Sequence, residues 1–342
     1  ATAGGGTGYG HRVFGHFPAL LHAAPREVMG IALGTGQTFA ALLQHGVRHL
    51  DCVEINPSVI ALTRQYFAAA NGGLLDRPEV TVHIEDGRAY LRRTDARYDL
   101  VVLEPLQAWT AGTSSLYARE FYRDARAVLR PDGVLLQWIP LYGQSAEDTR
   151  AMVASAAAVF PEVTLWLAGT EGILLARGRA AAVDPEVLGA RLRSRSLDDA
   201  LARSGVRTGA DVLSHVVLGP RGVRAWTKDT APITDDRPFL EFRAARGVGE
   251  VSTDEIVASL APYAAADDLG DYLTSTSTHG AALNAEALRV RAAMLAAWQV
   301  PYEHRDRRSA VLERGLAAAP GSARLAEYYR AYVESWLAEL EA

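Results

Sequence analysis

The sequence predicts an α/β fold, a mostly parallel sheet with helices between its strands and an antiparallel hairpin at the end. Three observations predict it. Apolar runs of strand length alternate with segments of helical spacing from residue 28 to residue 159, which calls for a parallel sheet covered by helices. The stretch PEVTLWLAGTEGILLAR, residues 161–177, holds two apolar runs facing each other across AGTEG with no room for a helix, hence a hairpin. And VMGIALGTGQTFAALLQHGVRHLDCVE, residues 28–54, reads as a strand, a Gly-x-Gly turn at Gly34 and Gly36, a helix, and a second strand ending in Glu54. In a doubly wound sheet that last arrangement puts the bare turn against a ligand at a helix N-terminus, while a carboxylate about 20 residues on receives ribose hydroxyls. The chain is therefore expected to bind a nucleoside.

Taken in order, the N-terminal segment 1–27 opens Gly-rich and leads to a helix in which Phe14, Phe17, Leu20 and Leu21 follow helical spacing. The repeat proper is strand 28–33, helix 37–46, strand 49–54, helix 57–70, strand 80–84, helix 86–93, strand 98–103, helix 117–130, strand 133–139 and helix 146–159. With the hairpin these make a nucleoside-binding domain over 28–180. Residues 181–249 predict short helices ending in the segment TDDRPFLEF, and 250–342, rich in Ala, Leu and Tyr, predict a helical bundle. A final antiparallel pair on a parallel sheet is the pattern of the class I S-adenosylmethionine (SAM) methyltransferase fold, whereas dehydrogenases end in parallel strands.

Bulk properties narrow the function classes. At 342 residues, 49% hydrophobic and 22% charged, the chain can bury a full core. A net charge of −5 excludes nucleic acid as the expected partner, because such domains present a basic face. The one cysteine, Cys52, sits in an apolar strand and predicts a buried inert thiol. No run approaches the roughly 18 to 20 apolar residues that span a bilayer, and ATAGGGTGYGHR lacks a signal peptide's apolar segment, so no membrane is expected as a partner and a cytoplasmic location is. The first residue is not Met, and what preceded it stays open. The scattered histidines form no metal-ligand cluster, so no metal is expected.

At this point the sequence resembles the spermidine synthase (polyamine aminopropyltransferase) family, most of all the bacterial branch often fused behind a membrane domain. GHFPALLHAAPREV is similar to the family's T-H-x-P-L-x-x-H-P-x-P-x-x-V, VEINPSVI to V-E-I-D-x-x-V, and EDGRAYL to G-D-G-x-x-F-L. YDLVVLEP through LYAREFY takes the place of Y-D-V-I-x-D-S-S-D-P…L-F-x-x-x-F-Y. The resemblance runs from His11 to Arg177 and resumes at TDDRPFLEF, over half the chain. It implies that SAM or decarboxylated SAM is bound as co-substrate by Gly34, Thr35, Gly36, Glu54, Ile55, Asp86, Gly87 and Glu104, with Asp86 accepting the adenine amino group. A helix N-cap is the alternative role for Asp86.

Glu104 ends the fourth strand, where an open α/β sheet puts its chemistry, and it corresponds to the first Asp of the family's D-x-x-D pair. The resemblance implies that it holds and deprotonates an attacking amine, with Tyr142 as a second catalytic candidate. His11, Gln107, Trp109, Gln137 and Trp138 are the candidates for binding the acceptor. Two departures matter. The pair's second Asp is replaced by Gln107 or Ala108, and the Asp of the glycine turn by Thr35. Losing two carboxylates removes charge-assisted contacts worth roughly 1.5 to 3 kcal/mol each to a polycation, while a neutral Thr35 tolerates the carboxylate of intact SAM.

The expected activity is therefore transfer of an aminopropyl or 3-amino-3-carboxypropyl chain to a nucleophile with release of methylthioadenosine. The alternatives are cyclisation of SAM to a small cyclic amino acid, methyl transfer, and a non-catalytic nucleoside-binding module whose helical tail docks a partner. Oligomeric state is open, although relatives of the fold commonly form homodimers. Asp235 and Asp236 are expected to cap a turn and pair with Arg237.

Overall fold

The computed structural model describes residues 8–107, 110, 112–169, 171–195, 197, 200–203, 205–247, 253–301 and 303–341. Eight strands form one sheet: β1 (Glu27–Ile31), β2 (His49–Glu54), β3 (Val80–Ile84), β4 (Tyr98–Leu103), β5 (Leu129–Pro140), β6 (Glu162–Ala168), β7 (Glu171–Arg177) and β8 (Val216–Leu218). Their spatial order is β3-β2-β1-β4-β5-β7-β6-β8. The first five are parallel, while β7 runs antiparallel to both β5 and β6, and β8 antiparallel to β6. The expected α/β architecture with a terminal hairpin is what forms. The order reverses between β1 and β4, and it is outside the carboxyl ends at such a switch point that open α/β sheets hold their ligands.

Helices cover both faces. Within the sheet domain they are α1 (Gly8–Leu21), α2 (Gln37–Leu43), α3 (Pro57–Tyr66), α4 (Ala68–Asn71), α5 (Gly87–Arg93), α6 (Arg119–Val128) and α7 (Ala146–Ala157). Beyond the hairpin come α8 (Pro185–Ser194), α9 (Ala200–Arg203), α10 (Gly209–Leu213), α11 (Pro220–Thr227), α12 (Phe239–Gly247), α13 (Thr253–Ala266), α14 (Thr278–Trp298), α15 (Arg305–Ala318) and α16 (Ala323–Glu341). Successive strand residues go to opposite faces. In β4, Leu100 and Val102 join the core beneath α1 and α2, while Val101 and Leu103 join the core with α6 and α7. That two-sided burial is why the strands read as unbroken apolar runs.

Several predicted boundaries shift for local reasons. The helix expected over 37–46 stops at Leu43, ahead of Gly46 with φ 78°. The one expected over 57–70 breaks after Tyr66 into α3 and α4. The helix predicted over 117–130 is a 3-10 turn, Thr113–Tyr117, followed by α6. β8 was not foreseen at all: its three residues sit inside a run of short helices.

Two arginines of the segment after the hairpin tie down α1. Arg191 Nη1 donates to the carbonyls of Leu20 and Leu21, and Arg195 donates to those of Ala19 and Ala23. Those of Ala19, Leu20 and Leu21 are orphan carbonyls of the helix C-terminus, where a cation also meets the negative end of the helix dipole. The C-terminal helices are tied in similarly. Arg291 of α14, 7% exposed, donates to the carbonyls of Val216, Val217, Ala264 and Asp267, joining α14 to β8 and α13. Arg291→Met leaves these buried carbonyls without a donor, and is expected to cost roughly 3 kcal/mol. Urea denaturation of the two proteins checks this; equal stability would show that the cation is dispensable.

Candidate active site

The site is built from the loop after β1. Glu54, buried at the tip of β2, accepts the Leu33 amide at 2.9 Å on one oxygen and the Asn56 amide at 2.9 Å on the other. The loop is held from its far side as well: Thr63 Oγ1 donates to the Gly34 carbonyl at 2.6 Å and Asn71 Nδ2 to the Thr35 carbonyl at 3.0 Å. Gly36 has φ 76°, and a Cβ there would lie 2.9 Å from the Leu74 side chain, so only glycine suits it. Gly34 is exposed, with nothing within 4 Å of where a Cβ would stand, so ligand can approach the bare backbone. Thr35, half-buried, carries a 3.3 Å hydrogen bond from Gln37 Nε2.

The turn starts α2, and α2 carries Thr38 to Glu104. Thr38 Oγ1 contacts Glu104 Oε1 and lies 2.7 Å from the His11 carbonyl, while His11 Nδ1 is 2.7 Å from Glu104 Oε2. Both carboxylate oxygens are thus held, and the Glu104 side chain keeps 15% exposure at the tip of β4. The hydrogen bond to Glu104 raises the His11 pKa, burial opposes it, and the charges of Glu104 and Glu171 raise it further.

A second carboxylate reaches this point from the hairpin. Glu171 opens β7, paired with Pro140 at the end of β5, and its Oε2 accepts the Trp138 Nε1 proton at 2.6 Å. Burial pushes its pKa up, the Trp138 bond and His11 pull it down, and Glu104 raises it. The Trp138 and Tyr142 rings are 6.3 Å apart. Burial raises the Tyr142 pKa, with Glu171 adding to the rise and a hydrogen bond with Gln107 opposing it. His11, Glu104, Gln107, Trp138 and Tyr142 are therefore brought together. Gln137, fully buried, donates to the Leu116 carbonyl and points to the sheet face opposite Trp138. Trp109 lies outside the described residues, as do Ala108 and the first seven residues of the Gly-rich N-terminal segment.

Towards β3 the edge is more open. Ile55 is 65% exposed just past Glu54, and Ile84, 62% exposed, ends β3. Asp86 is exposed and caps α5 by accepting the Ala89 amide at 2.8 Å, while Gly87 is buried against Ile31. Sequence reasoning missed Thr38, Ile84 and Glu171; an acid directly after AGT at the hairpin turn was the available signal for the last, because a returning strand starts where the parallel strands end. One expectation is corrected. The turn at Thr234–Arg237 forms, but Asp235 pairs with Arg88, at 2.6 and 2.7 Å, and not with Arg237, because α5 presents a nearly buried guanidinium that needs a carboxylate. Cys52 is buried, and burial pushes its thiol up to about 12, as an inert core cysteine requires. Among the described residues no group of His, Cys, Asp and Glu could hold a metal, and no helix is long and apolar enough to cross a membrane.

Residues 8–168 match the spermine/spermidine synthase domain. The likeness to the spermine/spermidine synthase family is carried by this stretch, a little under half of the chain. The chain is 31% identical over 171 residues to polyamine aminopropyltransferase 2 of Pseudomonas aeruginosa, 49% of this chain and 49% of that protein. It is 27% identical over 159 residues to the polyamine aminopropyltransferase of Lachnoclostridium phytofermentans, 46% of this chain and 56% of that one. The chain thus spans about half the length of the curated relatives it matches. A crystal structure titled a probable spermidine synthase, from Corynebacterium glutamicum, superposes with a TM-score of 0.50 at 15% identity, over 66% of this chain and 80% of that one, and shares the fold.

The His11–Glu104 pair makes a direct prediction. Because the folded-state pKa of His11 lies above the ordinary value of about 6.5, the pair's stabilisation is complete below that pH and fades as pH rises through the raised value. Glu104→Gln removes the charge and leaves burial dominant, so the His11 pKa should fall. Imidazole titration by NMR reads this, and an unchanged His11 midpoint would refute the coupling.

Proposed function

We propose that the chain transfers a carbon chain from an adenosyl sulfonium to an amine, releasing methylthioadenosine. The family match over residues 8–168 supports the class of reaction, and the named relatives are polyamine aminopropyltransferases. The observation that carries the reading is Glu104, a carboxylate at the tip of β4 held on one oxygen by Thr38 and on the other by His11. Such a group does what a direct displacement asks of a protein, aligning the nucleophile and taking its proton.

The residues around the glycine turn fit an adenosyl donor. Gly34, Thr35 and Gly36 offer backbone, Glu54 retains lone pairs for ribose hydroxyls beyond its two amide bonds, Ile55 offers an exposed apolar side chain, and Asp86 with Gly87 would meet the base. The sulfonium supplies a leaving group that departs uncharged. The rest falls to the chain. Glu104 accepts a hydrogen bond from the attacking amine and then its proton, with His11 as the next station. Tyr142, its pKa raised by burial, stays a neutral hydroxyl that orients the amine, and the Trp138 face stabilises positive charge nearby.

One observation favours intact SAM as an alternative donor. The turn presents neutral Thr35, so nothing there repels the donor's carboxylate, which would make the transferred group 3-amino-3-carboxypropyl, delivered to another molecule or onto SAM's own atoms.

Incubation with each donor, followed by mass spectrometry, tests the proposal. Methylthioadenosine is the expected nucleoside product; S-adenosylhomocysteine would mean methyl transfer and overturn it. Glu104→Gln should lower turnover by roughly 10²- to 10⁴-fold, the range for loss of a positioned base.

A further inference from the structure

Among the described residues the charges at the tip of β4 do not balance. Glu104, Glu171 and His11 act on one another there, and one imidazole supplies at most a single positive charge against two carboxylates. Glu104 already has the imidazole as its partner through Nδ1. Glu171 has only a neutral one, the Trp138 indole N–H on Oε2, and its Oε1 has no hydrogen-bond partner among the described residues. A half-buried carboxylate in that state loses hydration without gaining a counter-ion, and burial accordingly raises its pKa. The group that would relieve the imbalance is a cation able to donate to Oε1. Trp138 and Tyr142, their rings 6.3 Å apart, supply aromatic faces beside the same carboxylate, and an alkylammonium is stabilised by both.

We infer that Glu171 is a specificity-determining residue that binds an alkylammonium group of the substrate. The inference rests on the chain-transfer reading, because it is that reaction which brings amines to this edge. Two amines could occupy the position: the far end of a diamine acceptor, or the amine of the transferred chain itself. Both are primary ammonium groups on a short alkyl chain. The antiparallel hairpin makes the contact available, since β7 begins at the edge where the parallel strands finish.

Calorimetric titration of the full chain and of Glu171→Gln with three probes tests the assignment. Glutamine keeps an oxygen for the Trp138 N–H and removes only the charge. Methylthioadenosine, which carries no ammonium group, should bind both proteins equally, and this also shows that the variant is folded. Putrescine, titrated with methylthioadenosine present, should bind Glu171→Gln at least tenfold more weakly if the acceptor amine sits at Glu171. Decarboxylated SAM should show that loss instead if the chain amine does. Glu171→Asp, which retains the charge, should recover part of the affinity. Binding of putrescine and decarboxylated SAM within twofold of the original protein would overturn the inference while leaving the nucleoside site standing. Failure of methylthioadenosine to bind the unaltered chain would instead bring down the chain-transfer reading, and this inference with it.

Discussion

The structure depends on how Glu104 is held. A carboxylate at a strand tip can swing freely, and one that swings loses the alignment that the proposed displacement needs. Here Thr38 takes one oxygen and His11 the other, so three elements, α1, α2 and β4, converge on one side chain. Each of those elements is fixed in turn. The start of α2 follows from the glycine turn, the turn from the Leu33 amide that Glu54 accepts and the carbonyls held by Thr63 and Asn71, and α1 from Arg191 and Arg195 at its far end. The glycine turn and Glu104 are thereby linked mechanically through a single short helix, and a disturbance at Glu54 would be felt at Glu104.

Much of the fold was legible because its strands are buried on both faces and its hairpin has no room for a helix. The acids at strand tips were legible for a related reason: Glu54 and Glu104 each end an apolar run, where solvation alone would rarely place a carboxylate in an otherwise continuous core strand. What could not be read depended on pairings distant in sequence. Asp235 meets Arg88 across 147 positions, and β8 is a strand only because β6 offers it an edge. Thr38 looked like any helix-forming position until the turn before it was seen to aim it at β4.

Charge at the site is where sequence and structure give different emphasis. Gln107 and Thr35 are neutral where the family resemblance implies acids, which suggested a pocket poorly suited to cations. The structure places Glu171 beside Glu104, and its negative charge acts on the same imidazole. A deficit counted along the chain is thus partly made up in space, by a residue whose strand runs against the others.

The clamp of Arg191 and Arg195 on α1 bears on where this protein could be divided. The matched family domain stops at residue 168, ahead of both arginines, of β7, and of the β8 strand that covers the β6 edge. A fragment trimmed to that boundary would keep every glycine of the turn after β1 yet leave bare carbonyls at the end of the helix bearing His11, and an unpaired sheet margin open to self-association. The matched stretch is therefore not a free-standing module. The helix that brings His11 to Glu104 is held at its far end by arginines that lie beyond the matched stretch.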